Sequence, residues 1–153
     1  MATTRNFANW FYVSSREFHD AYNALAQDRS GRNDFIAVKH YLLCHALETS
    51  LKGLLAETGN YSYNQLRRNF SHNLLRLLDE VEHVRGASTE IDECRAYVRP
   101  INEDYMQGGY GYPNNNVSFT GIQLEHFTTV VQFFVDTLMT DISSYNFADV
   151  PMQ

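Results

Sequence analysis

Phe35–Gly59 reads FIAVKHYLLCHALETSLKGLLAETG, and its periodicity decides the fold. Ile36, Leu43, Leu47, Leu51, Leu54 and Leu55 recur at helical spacing on one wide apolar face. Phe35, Leu42, Ala46 and Gly53 form a second, narrower stripe. The spacing predicts a helix from about Asp34 to Thr58, closed by Gly59 as a C-terminal cap. A helix apolar on two sides is central in its bundle, or lies between a core and a partner. Between the stripes runs one polar strip of Tyr41, His45, Glu48 and Lys52. It reads in two ways. One is a solvated face, whose Glu48–Lys52 pair is worth at most a few tenths of a kcal/mol. The other is the polar wall of a functional groove.

Outward from this helix the pattern stays helical. Phe7, Phe11, Phe18, Ala21, Tyr22 and Leu25 share one face of a segment from about Phe7 to Ala26, with Trp10 at its edge. Asp28 to Asn33, containing Ser30-Gly31, breaks it. Tyr61 to Asn69 holds a short helix or turn. Ser71 is then placed to cap a third helix through about Val84, with Leu74, Leu75, Leu77, Leu78, Val81 and Val84 as its apolar set and Gly86 closing it. A fourth helix from near Ser88 carries Ile91, Cys94 and Val98 and meets Pro100, which ends or kinks it. Met106 to Ser118 is the long irregular stretch. A last helix from about Gly121 to Tyr145 aligns Leu124, Phe127, Val130, Val131, Phe134, Val135, Leu138 and Ile142. The fold expected is all-α, an antiparallel up-and-down bundle of four long helices plus one shorter helix, in a single domain of 153 residues.

Composition narrows the function classes. A net charge of −6 argues against broad, non-specific contact with nucleic acid, because phosphates require cationic surface. Cations do cluster locally, as Lys52, Arg67, Arg68, Arg76 and Arg85. No apolar run approaches the ~20 residues of a membrane span. The N-terminus lacks the apolar core of a signal peptide, so the cytoplasm is the expected compartment. Cys44 and Cys94 fit no usual metal spacing and read as reduced thiols in the core.

One further segment, Asn69-Phe70-Ser71-His72-Asn73-Leu74-Leu75, follows the central helix with its His45-Ala46-Leu47-Glu48 and Leu51-Lys52. Together they resemble the HEPN family (higher eukaryotes and prokaryotes nucleotide-binding), small helical bundles in which many members read "HALE..LK..L...G" and then "GHDL..L". The resemblance spans the central half of the chain and is to the branch carrying GHDL. Ser71 stands where that branch has Gly, and Asn73 where it has Asp. The resemblance implies an RNA- or nucleotide-associated module of the kind found in prokaryotic defence and toxin–antitoxin loci. Some such modules are metal-independent endoribonucleases, in which an Arg is followed by four to six residues and a His. Others bind or assemble without catalysis.

Metal-free RNA cleavage needs a base for the 2′-hydroxyl and a cation for the developing phosphorane charge. Arg67 and His72 fit the family spacing; Arg68 is one residue short, and Arg76 with His83 also fits. The catalytic set expected is therefore His72 with Arg67 or Arg68, and Lys52, Glu48 and Arg76 are the expected substrate-binding support. At a helix start the dipole disfavours imidazolium, so His72 suits either a base or a structural hydrogen bond. Leu74 stands where some HEPN toxins carry a Tyr that a partner enzyme modifies, so regulation of that kind is not expected.

His40 and Cys44, one turn apart on the wide apolar face, lack further ligands and read as core residues; neither metal nor cofactor is expected. Gly108-Gly109-Tyr110-Gly111 is no phosphate loop, since no Lys-Ser/Thr follows. Tyr105, Tyr110 and Tyr112 read either as base-stacking groups or as a packed aromatic loop. The partners expected are a second copy of the chain, docked through the Phe35, Leu42, Ala46 and Gly53 stripe, RNA, and a protein encoded nearby. The competing reading is a non-catalytic adaptor that dimerises or assembles with that protein.

Overall fold

Helices account for the whole regular structure of the computed structural model, which describes residues 5–27, 35–108 and 121–143. In chain order they are α1 (Arg5–Ala26), α2 (Ile36–Glu57), a single turn α3 (Tyr63–Gln65) running into a π-helical turn (Leu66–Phe70), α4 (Leu74–Arg85), α5 (Thr89–Val98), α6 (Asn102–Met106) and α7 (Gly121–Ser143). The all-α expectation holds. The count is finer than four long helices and one shorter: α1, α2 and α7 span 22, 22 and 23 residues, whereas α4 and α5 span 12 and 10. The expected break at Asp28–Asn33 and the loop beyond Gly108, with Tyr110 and Tyr112, lie outside the described residues.

Helix α2 is the axis of the bundle. It packs against α1, α7 and α4, and every residue from Ala46 to Ala56 is buried. Although Phe35, Ile36 and Leu42 are half-buried, the C-terminal part of both apolar stripes is thus covered by the chain itself. Gly53 explains how closely: a Cβ there would meet Leu138 Cδ2 of α7 at 2.3 Å and Phe11 Cβ of α1 at 3.1 Å. Ala46 has no exposed surface. The two small residues, Ala46 and Gly53, are thus packed among the chain's own helices, whereas Phe35 and Leu42 of the same stripe are half-buried.

Helix α1 runs antiparallel to both α2 and α7. Phe11 lies level with Gly53 and Leu138, and a turn or two on, His19 Nε2 is 2.8 Å from Thr128 Oγ1 while Phe18 stacks on His45. The buried stripe of α1 is Ala8, Phe11, Ser15, His19 and Tyr22. Phe7 and Ala21, expected on it, are exposed. The face is rotated because His19 finds a partner on α7 and so enters the core. On α7 all eight expected core residues are buried.

Helix ends follow their chemistry. Gly59 adopts φ 76° after α2, and its N–H bonds Ala56 O at 3.0 Å. Ser88 caps α5 by accepting from Ile91 N at 3.2 Å, and α5 stops before Pro100. Two ties hold the outer helices. Arg85 of α4 reaches Asp141 of α7 at 2.5 Å, and Arg95 of α5 pairs with Asp79 and Glu82 of α4 and with Asp92 on its own helix. Among the described residues no helix is long and apolar enough to cross a membrane.

Candidate functional site

The turn between the π-helical segment and α4 carries His72, and its backbone is unusual. Ser71 sits at φ 46°, ψ −120°, and Asn73 N bonds Phe70 O at 2.8 Å. Those values mark a type II′ turn with Ser71 at the position that favours glycine. Ser71 therefore does not cap α4. Asn73 does, its side-chain oxygen accepting from Arg76 N at 3.1 Å. His72 precedes the cap and lies outside the helix, so its environment is set by side chains on α2 and α6 and not by the helix dipole.

Those side chains form one buried network centred on Glu48. Oε1 accepts from Lys52 Nζ at 2.7 Å, and Oε2 accepts from His72 Nδ1 at 3.0 Å and from the Tyr105 hydroxyl. Lys52 Nζ also donates to Ser71 O at 2.7 Å, tying the strained turn to α2. His45 Nδ1 is 3.1 Å from the Tyr105 oxygen. Since the single Tyr105 proton goes to Glu48, His45 must donate through Nδ1. Both histidines then donate through Nδ1.

Glu48 and Lys52 are only 5 and 8 % exposed, which overturns the reading of the polar strip as a solvated face. Only this C-terminal half of the strip is enclosed: His45 is half-buried and Tyr41 is exposed. Burial alone would raise the Glu48 carboxyl, but Lys52 and the hydrogen bonds from His72, Lys52 and Tyr105 outweigh it and hold it below its ordinary value. Burial pushes His45 down, with Glu48 partly opposing. Burial and the adjacent Glu48 carboxylate push the Tyr105 hydroxyl far up, so it stays a proton donor.

The side chain of His72 is 51 % exposed, against 7 % for Glu48. A buried carboxylate thus orients a half-open imidazole through its Nδ1. That is the relationship between orienter and acid–base group in hydrolytic triads.

The other expected site residues separate. Arg67 and Arg68 are exposed on the π-helical turn; Arg76 lies over the Phe70 ring at 5.6 Å. Among the described residues, none of the hydrogen bonds or ion pairs of Glu48, Lys52 or His72 goes to an arginine. Lys52 and Glu48 direct their polar atoms to the network and the turn. His40 is buried in the core, where desolvation pushes it down to about 4, and Cys44 is buried beside it on the helix. Among the described residues no group of three or more His, Cys, Asp or Glu side chains is arranged to hold a metal ion.

Two members of the site were not foreseen. Tyr105, read either as a base-stacking group or as part of a packed aromatic loop, is 3 % exposed on α6. Asn102, one turn before it, accepts from Leu74 N at 2.8 Å and Leu75 N at 3.3 Å and donates to Asn73 Oδ1 at 3.1 Å. It satisfies N–H groups that the start of α4 would otherwise leave open. No family model matches the chain, and searches of curated proteins and of solved structures return no match.

Proposed function

We propose that the chain is an RNA-associated helical module of the HEPN kind, in which His72 serves as the acid–base group of a metal-independent endoribonuclease. The observation that carries this reading is the hydrogen bond from half-exposed His72 to buried Glu48. Two features of the turn support the family resemblance. Ser71 keeps a glycine conformation where the GHDL branch has Gly, and Asn73 caps α4 where that branch has Asp, a residue equally able to cap. In the reaction His72 Nε2 takes the 2′-hydroxyl proton while the 2′-oxygen bonds phosphorus. The phosphorus–5′-oxygen bond breaks, and the 5′-oxygen leaves with a proton from water. Arg67 or Arg68 offsets the charge on the phosphorane. Glu48, held by Lys52 and Tyr105, is the positioning residue.

The test is cleavage of single-stranded RNA in EDTA, leaving a 2′,3′-cyclic phosphate and a 5′-hydroxyl. His72→Ala should lower the rate by ~10²–10⁴-fold while the helical fold survives. Equal cleavage by wild type and H72A would overturn the assignment.

A second reading has its own observation. Lys52 and Tyr105 place their polar atoms on Glu48 and the turn, which is also what a structural clasp does. On this reading the chain is a non-catalytic adaptor that assembles with a second copy or with a protein encoded nearby. H72A would then lower the melting temperature and leave no RNA cleavage to lose.

A further inference from the structure

Three aromatic side chains stand open at one end of the bundle. Phe7 is 41 %, Trp10 57 % and Tyr63 43 % exposed. Phe7 and Tyr63 are in ring contact, with centroids 5.4 Å apart. Trp10 lies three residues after Phe7 on α1, so the two share a helix face. Nothing in the core requires this placement: the buried stripe of α1 is Ala8, Phe11 and Ser15, and Tyr63 lies on a turn with no buried residue.

Two cations follow the aromatics along the chain. Tyr63 begins a continuous helical segment that runs through Phe70, and Arg67 is one turn further along it. Arg67 and Arg68 are exposed, and among the described residues neither guanidinium joins an ion pair, whereas Arg85 and Arg95 are held by carboxylates. On a chain of net charge −6, two uncommitted cations next to three open rings are a local exception. Planar faces for stacking beside cations for phosphates match single-stranded nucleic acid, whose bases are free to stack. A duplex hides those faces, and an acidic peptide makes no use of the rings.

The order along the chain gives the surface a direction. Aromatic Tyr63, cationic Arg67 and Arg68 and then His72 follow one another within ten residues, so a strand stacked on Tyr63 would run past the arginines towards the histidine. We infer that Phe7, Trp10 and Tyr63, with Arg67, form a stacking platform that binds single-stranded RNA and leads it to His72. The inference rests on the RNA reading above and adds where the strand is held.

Trp10 is the only tryptophan and reports directly. The probe is a 2′-O-methyl oligonucleotide of mixed sequence, which cannot be cleaved, titrated into the full chain. Saturable quenching of Trp10 fluorescence is expected, with affinity falling as salt rises. By fluorescence polarisation of labelled oligonucleotide, Tyr63→Ala should weaken binding by about 5-fold or more, as loss of one base–aromatic stack does. Arg67→Ala should reduce the salt dependence by about one phosphate contact. Circular dichroism of each variant checks the fold.

Absence of quenching, or binding that Y63A and R67A leave unchanged, overturns the platform. So does equal affinity for a duplex of the same length. A Trp10→Ala change that turns a dimer into a monomer, with no loss of RNA affinity, would assign the patch to a second copy instead. Binding here without cleavage leaves the platform standing and removes the acid–base role of His72. Cleavage with KM unchanged in Y63A does the reverse.

Discussion

His72 Nδ1 lies 3.0 Å from Oε2 of Glu48, a residue 24 positions earlier and almost wholly buried. The pair joins the one strained turn of the described site to the most enclosed helix of the bundle. Whatever reaches Nε2 of His72 meets a ring whose angle is fixed from the core.

Glu48→Gln should show how much the network stabilises the fold. The amide keeps the shape but leaves the Lys52 ammonium buried without its counter-ion, and breaking a buried pair from one side costs about 3–5 kcal/mol. Urea unfolding should show a loss in that range. The double change E48Q/K52M should recover part of it, since no charge is then stranded. A loss below about 1 kcal/mol would mean Lys52 escapes to solvent.

Ser71→Gly should stabilise. A non-glycine residue at φ 46°, ψ −120° is strained by about 1–3 kcal/mol, and glycine relieves this against its own greater chain entropy. A net gain of about 1 kcal/mol, seen as a higher urea midpoint, is expected. Ser71→Val should be clearly destabilising, because a β-branched side chain tolerates that backbone least.

Gly53→Val should lower stability by about 1–3 kcal/mol, the usual range for overpacking. The position is enclosed by Leu138 and Phe11, so α1 and α7 must both move. The matched change Gly53→Val with Leu138→Ala should recover part of the loss, which simple helix propensity would not give.

Acid should weaken the protein from about pH 6.5 downward. His40 is pushed by burial to about 4, and burial also lowers His19 and His45. Below the unfolded value near 6.5 the unfolded chain binds protons that these folded histidines refuse, so stability falls as pH falls. For His40 that window runs from about 6.5 to about 4, at up to about 1.4 kcal/mol per pH unit. Glu48, held low, adds loss of the same sign once pH drops through its folded value. Urea midpoints measured from pH 8 to 5 should be level above about 6.5 and decline below it. A flat profile would place these histidines in solvent. His40→Leu should make the decline shallower.

Some of this was legible before any coordinates. The core of α7 could be read residue by residue, because eight apolar positions at one spacing leave a single way to face inward. The two-sided apolarity of α2 announced a central helix and, followed through, also buries the C-terminal half of the strip between the stripes. That is why Glu48 and Lys52 are enclosed despite being charged. His72 could be singled out from its motif. Tyr105 and Asn102 could not. Their partners lie 57 and 28 residues away, and such pairings depend on where a five-residue helix docks after Pro100. The rotation of α1 was hidden for a similar reason: His19 enters the core only because Thr128 meets it.

Helix α6 gives the site a history as well as a shape. Its Asn102 holds the start of α4, and its Tyr105 holds the Glu48 carboxylate that orients His72. During synthesis, α2 and the His72 turn emerge and can pack before these two residues exist as folded structure. A chain halted at Pro100 holds His72, Glu48 and Lys52, yet lacks both later contacts. The histidine therefore reaches its final setting only in the completed fold. If His72 is the proposed acid–base group, its full support arrives only after α6 has been made.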